Sequence, residues 1–406
     1  MNLNSLNNIK RRNLITLAIT KLLHGFGTGM FGIIYQPFLL DLTNSIVLTG
    51  LFVSIGLMTQ FTPMPWIGKL SDKYNRKYIL ITSVPVYIMG LLFLILASST
   101  TIYFIVFGIL FYFLGFIINN LNTQFIVADN TSKSKGLMFG FMYFSYFGGS
   151  IAGTIFIILG AGLENRFIMM IFIFLLLIEE SFFIFSLSAR NTHIRNPESK
   201  PINTFNKKEN MWKKILKTKS LRSILIFFCL DIFVYSISLS IYTGGLYDFY
   251  HLSEQDIAMI ALWLNIGTAV FQIPAGRITD KIGNKKTLIL SQIFGFGFFF
   301  TNILAVIFWM NFFKQILIMT LSIGYLSLAL SVCTFIPAEQ VILTNLGEDQ
   351  KAESYGIVSF FRGIALIPTG FLGGLMVENV HYIAPFIFSA IGLGFELLFL
   401  VKFFHD

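Results

Sequence analysis

Inside otherwise apolar runs of this 406-residue chain sit a few groups able to hold charge or a proton. Lys21 is followed one helical turn later by His24, with Thr28 beyond. Asp231, Tyr235, Ser238 and Tyr242 recur at i, i+4, i+7 and i+11, which places them on one helix face. Arg362 lies among apolar neighbours, Asn119 and Asn122 share a face, and Asn265 interrupts another run. An ionised side chain costs on the order of 3 kcal/mol at mid-bilayer, so each charge needs a partner or a wet cavity. Asp231, and His24 with its near-neutral titration, suit proton exchange. The plainer alternatives are a structural Lys21–Asp231 pair, with Lys21 extending toward a membrane face, and a histidine satisfied by helix packing. Glu179, Glu180 and Glu396 also interrupt apolar runs, but they fall outside the candidate site, and nothing in the sequence assigns them a role.

Other chemistries are poorly supplied. Cys229 and Cys333 lie in apolar runs and read as small buried residues. No His/Cys/acid spacing suits a metal, and no phosphate-cradling glycine loop or nucleophile elbow is present. An ATP-driven pump, an enzyme and a cofactor are therefore not expected.

The elements that position these groups are membrane helices. With 55% hydrophobic and 12% charged residues and a mean hydropathy of +0.75, the chain lacks the charge to cover a soluble surface. Twelve apolar stretches are near the ~20 residues that cross ~30 Å of hydrocarbon. They begin at about residues 14, 46, 78, 101, 136, 167, 221, 256, 286, 315, 354 and 382. Residues 1–12 read as a polar tail, and the first run is too long for a signal-peptide core. With a cytoplasmic start, 25 of the 29 Lys and Arg residues fall on one side of the membrane and only Arg166 and Lys314 on the other. That bias sets both termini in the cytoplasm of a multi-pass protein of the cell membrane. It also accounts for the net charge of +9 without nucleic-acid binding. The chain divides into a six-helix half over 1–189, a basic linker over 190–220 and a second half over 221–406. Within the linker, Met211–Lys217 alternates apolar and lysine faces, as a short helix on the inner leaflet would; a partner-docking site is the alternative.

A charged island, Gly68-Lys69-Leu70-Ser71-Asp72-Lys73-Tyr74-Asn75-Arg76-Lys77, recurs 208 residues later as Gly276-Arg277-Ile278-Thr279-Asp280-Lys281-Ile282-Gly283-Asn284-Lys285-Lys286. Repetition at half-length, between hydrophobic helices, marks a duplicated membrane protein. Both copies resemble the signature between helices 2 and 3 of the major facilitator superfamily. The first departs from it at Asn75, a residue that tolerates left-handed backbone. Val127-Ala128-Asp129 with Lys133, Lys135 and Gly136 resembles the family's exit from helix 4, and Glu339 stands at the matching exit from helix 10. Gly140, Gly148, Gly149 and Gly153 are similar to a glycine motif of proton-driven antiporters, though its proline is missing.

The resemblance implies an all-α fold of twelve transmembrane helices in two pseudo-symmetric halves, rocking about a central site. It implies a cytoplasmic gate at Gly68, Asp72, Arg76, Lys77, Asp129, Gly276, Asp280, Lys285 and Glu339. There, Asp72 would meet the start of helix 11 near Ser354–Gly356, Arg76 would pair with Asp129, Asp280 would meet helix 5, and Lys285 would pair with Glu339. Lys21, His24, Asn119, Asn122, Asp231, Tyr235, Asn265 and Arg362 would open to one cavity, where Lys21, Asp231 and Arg362 form a net positive cluster. The implied function is secondary transport of a small solute by a monomer in the lipid bilayer, driven by the proton gradient. Efflux of amphipathic compounds is the first reading. Uptake of an organic anion or sugar-like metabolite is the second, and a non-transporting receptor or sensor the third.

Overall fold

The computed structural model describes residues 3–131, 135–160, 162–188, 217–309, 313–345 and 351–403, and these form helices and short connections only. The first half contains α1 (Leu3–Thr43), α2 (Ile46–Phe61), α3 (Met64–Lys73), α4 (Arg76–Leu96), α5 (Ile102–Asn130), α6 (Lys135–Leu159) and α7 (Asn165–Phe185). The second half contains α8 (Lys219–Leu239), α9 (Tyr242–Phe249), α10 (Glu254–Ile282), α11 (Asn284–Phe308), α12 (Lys314–Asn345), α13 (Lys351–Leu366), α14 (Thr369–Asn379) and α15 (Ala384–Phe403). They make 12 stretches long and apolar enough to cross a membrane, three of them built from two helices each: α2 with α3, α8 with α9, and α13 with α14. Pro63 and Pro368 stand at two of those breaks, where a missing amide hydrogen ends one helix and starts the next. The short helix expected over Met211–Lys217 lies outside the described residues, except for Lys217.

The amino-terminal residues differ from expectation. Residues 3–12 are not a tail but the first turns of α1. No helix breaker separates them from the apolar run, and Asn13 anchors the segment. Its Nδ2 donates to Asn130 Oδ1 at 3.3 Å, and its Oδ1 accepts the Ser188 amide at 2.9 Å.

The two charged loops are alike in one respect and unlike in another. Lys77 Nζ donates to the Ile184 carbonyl at the end of α7, and Lys285 Nζ to the Val401 carbonyl near the end of α15. In each half, a lysine thus caps the carboxyl end of the last helix, where unpaired carbonyls attract a cation. The turns differ. Asn75 is not left-handed (φ −66°); it is the N-cap of α4, and its side chain accepts the Lys77 amide. Its counterpart Gly283 has φ 85° and ψ 164°, a conformation open essentially to glycine alone.

Between lipid-facing helices, close backbone approach replaces the hydrophobic drive available in water. Helices α1 and α6 meet through Gly25, Gly29, Gly149 and Gly153, where an added Cβ would collide with the facing backbone. Gly149 and Gly153 of α6 therefore have a packing role within the first half. Between the halves, α2 and α3 run along α13 and α14, and α6 runs along α10. Gly50 faces Gly370, Gly356 lies 3.0 Å (as an added Cβ) from Pro65 Cα, and Gly140 faces Ile273. These seams reach both ends of the molecule. Gln36 of α1 reinforces one end, donating to the Leu239 carbonyl at 3.2 Å and accepting the Gly244 amide at 2.9 Å.

Candidate functional site

The candidate residues do not share one cavity. In the first half Lys21 Nζ donates to Asn119 Oδ1 (3.2 Å) and Asn120 Oδ1 (3.5 Å). Asn119 Nδ2 donates to Glu179 Oε1 (2.9 Å), and Glu179 Oε2 meets His24 Nδ1 (3.1 Å). The His24 ring is enclosed by Tyr87, Phe116, Tyr146 and Phe172. Every member of this Lys21–Asn119–Glu179–His24 chain is buried. Asn122 is engaged elsewhere, accepting Ser71 Oγ at 2.9 Å beneath the charged loop.

A cavity of about 100 Å³ opens beside Lys21, between α1, α5 and α6. Phe116, Phe139, Met142, Tyr143 and Tyr146 form its apolar walls, and Asn120, Thr123 and Gln124 supply polar groups. Thr123 Oγ1 is buried with no hydrogen-bond partner among the described residues. Lys21 spends two donors on asparagine oxygens, and an ammonium has three.

The second half holds a separate network. Asp231 Oδ1 accepts Gln292 Nε2 at 2.9 Å, and Tyr235 hydroxyl reaches Gln292 Oε1 (3.3 Å) and Ser331 Oγ (3.1 Å). Ser238 meets Ser389 of α15 at 3.3 Å, and Tyr242 packs against Phe298, Tyr325 and Phe386. The face carrying Asp231, Tyr235 and Ser238 therefore points into the second half rather than toward the first. Lys21 and Asp231 do not pair.

Arg362 corrects the expected cationic cluster most plainly. Its Nη1 forms an ion pair with Glu339 Oε1, both residues being buried. Its guanidinium also lies 5.1 Å from the ring centre of Phe61 in α2 and 5.6 Å from that of Phe228. Glu339 is thus partnered by Arg362, while Lys285 reaches Val401. Twenty-three residues separate the pair in sequence, and only the antiparallel packing of α12 and α13 brings them together. Asn265 donates to Thr154 Oγ1 at 3.1 Å and so bridges α10 and α6 across the halves.

Comparison with known proteins places this arrangement. The family model described as Major Facilitator Superfamily matches residues 17–264 and 224–406. The chain belongs to the major facilitator superfamily. Multidrug resistance protein 2 of Bacillus subtilis (strain 168) is 25% identical over 384 residues, covering 87% of this chain and 86% of that protein. The fold is similar to that of the nucleoside transporter NupG (TM-score 0.71, 15% identity, 96% of this chain and 98% of the other). It is also similar to the human organic anion transporter MFSD10 (TM-score 0.64, 12% identity, 96% and 99%).

On this superfamily frame the charged loops lie at one end of the molecule. Arg76 Nη1 pairs with Asp129 Oδ2 and donates to the Phe125 carbonyl at 3.3 Å. Asp280 is exposed at the end of α10, and no side-chain neighbour crowds Gly68 or Gly276. The Asp72 side chain and those of Lys351 to Ser354 lie outside the described residues, so the contact expected between them falls there. Contacts along this end are Pro65 with Gly356 and Trp66 with Phe360. At the far end Ser54 Oγ meets Thr369 Oγ1 at 3.1 Å and accepts the Gly370 amide at 2.6 Å.

Gln36, Ser54, Thr369, Gln292 and Glu179 were not among the sequence candidates. Glu179 had a legible signal. It falls on the stripe of Ile168, Phe172, Leu176 and Phe183, the packed face of α7. An acid on that stripe must face protein rather than lipid.

Proposed function

We propose that the chain is a proton-coupled secondary transporter of the cytoplasmic membrane, with both termini cytoplasmic, exporting small amphipathic solutes by alternating access. The observation that carries this reading is the cavity beside Lys21. At this size it admits about one ring of a solute while both ends are closed: its aromatic and methionine walls suit that ring, and the free donor capacity of Lys21 and the unpartnered Thr123 hydroxyl suit a polar or anionic end. The name of the Bacillus subtilis relative, multidrug resistance protein 2, supports the same solute class and direction. In the second reading, uptake of an organic anion or sugar-like metabolite, the charge for an anion rests on Lys21, because Glu339 neutralises Arg362.

The halves over 1–189 and 221–406 are the moving bodies, joined by the basic segment 190–220, and one chain is the working unit. Contacts at both ends fit a carrier with its solute site closed to either side. Opening toward the charged-loop end separates Pro65 from Gly356 and Phe61 from Arg362, and opening the other way separates Ser54 from Thr369. Asp72, Arg76 with Asp129, and Asp280 belong to the first of these gates. The coupling proton is carried through Asp231 in the second half, and His24 in the first half is the second reading.

The Lys21 ammonium gives the direct test. A hydrogen bond to a charged group contributes about 1.5–3 kcal/mol, so Lys21→Met should weaken half-saturation by fluorescein, an anionic aromatic dye, roughly ten- to hundredfold. The assay is dye accumulation in inverted vesicles under an imposed pH gradient. Equal half-saturation in both proteins would remove this cavity as the solute site.

A further inference from the structure

Glu396 has no role in the site described so far. It lies on the packed stripe of α15, between Leu393 and Leu400, and is 1% exposed. Neither of its carboxyl oxygens has a hydrogen-bond partner among the described residues. Glu179, the acid buried on the last helix of the other half, offers a direct comparison. It receives an amide donor from Asn119 and faces His24. One half therefore sets its buried acid against a base.

The other half sets its acid against a second acid. Helices α8 and α15 run antiparallel. Ser389 Oγ donates to the Val234 carbonyl at 2.7 Å, and Leu400 packs in one cluster with Leu225, Phe227 and Phe228. Between those two contacts, Glu396 of α15 falls within about one helical turn of Asp231 of α8. The Asp231 and Tyr235 side chains lie within electrostatic reach of Glu396. Around Asp231 are also Gln292 from α11, Arg362 from α13 and Glu339 from α12. Lys285 of α11 turns to the Val401 carbonyl near the end of α15. The charge count is decisive. Among the described residues Arg362 is the cation facing this group of acids, and Glu339 already pairs with it. A third carboxylate in the same apolar interior would carry neither a counter-charge nor a hydrogen bond, the costliest state a buried acid can take.

We propose that Glu396 and Asp231 form a proton-binding site inside the second half, with one proton resident on Glu396 and Asp231 as the carboxylate held by Gln292. The two carboxyl groups share no hydrogen bond in this state, so a proton passing from Glu396 to an Asp231 carboxylate oxygen, which exchanges the two charge states, first requires a rotamer change or a bridging water. The site gives the coupling proton of the transport reading a position, yet its existence is read at equilibrium and does not depend on transport.

The test is infrared spectroscopy of the full-length protein in lipid vesicles, comparing acidic and alkaline buffer in H₂O and D₂O. Wild type is expected to show a protonated-carboxyl C=O band, sensitive to deuterium, that Glu396→Gln loses. Glu396→Leu should lose the same band and keep the wild-type thermal midpoint or raise it, because no pair is broken. A band that persists in both variants would overturn the proposal, as would a large drop in the midpoint of Glu396→Leu. Dye flux in the same vesicles separates the two ideas. If the band is lost while pH-driven flux equals wild type, the proton site stands and its part in coupling falls.

Discussion

Arg362→Ala is expected to lose about 3–5 kcal/mol of stability, because it leaves the Glu339 carboxylate buried without its partner. The guanidinium also bridges Glu339 of α12 to Phe61 of α2, so the same change frees one seam between the halves. Thermal unfolding of the purified protein in detergent reads the first effect. The double variant Arg362→Met with Glu339→Leu should recover most of the loss, since an apolar pair of similar volume leaves no stranded charge. A single variant as stable as wild type would show that the pair is not the buried contact described above. An unrecovered double variant would point to the Phe61 contact as the main contribution.

Gly370→Val should act on conformation. An added Cβ there meets the Gly50 carbonyl and the Ser54 hydroxyl, the closest approach between the halves at the end away from the charged loops. Overpacking of this kind costs about 1–3 kcal/mol, and here that cost falls only on the state in which the two helices touch. The equilibrium between closed and open at this end should move about 5- to 150-fold toward open. A cysteine placed at the buried Val47 reports it through the labelling rate with a membrane-impermeant maleimide. Unchanged labelling would mean that α2 and α14 do not form a gate.

The fold could be read from the sequence because bilayer physics leaves few options. Twelve apolar stretches, the repeated loop of Gly68 and Gly276, and the one-sided Lys and Arg residues each constrain the same architecture. The site was less legible, for a reason the residues illustrate. Hydropathy identifies a charge inside a span but not the direction in which it points. Asp231, Tyr235 and Ser238 do share a helix face, yet that face packs on α11, α12 and α15 within its own half. Arg362 looked unpaired because its acid, Glu339, is a full helix away along the chain. Glu179 and Glu396 have no assigned role in the sequence reading, although the spacing of α7 and α15 already puts them on packed stripes. Asn75 and Gly283 occupy equivalent positions in the two loops and solve the same turn differently, one by capping a helix and the other by positive φ. A motif alignment cannot show that difference; backbone angles do.

Proton-coupled export of an amphipathic solute is the central claim. It is tested most directly in proteoliposomes carrying an internal pH dye, with a library of aromatic and anionic compounds added outside. The account predicts that a subset of these compounds moves protons against solute across the membrane. That exchange should be absent from empty vesicles and abolished when Asp231 is replaced by Asn. Solute movement with no proton movement, or no compound that shifts the dye, would contradict it.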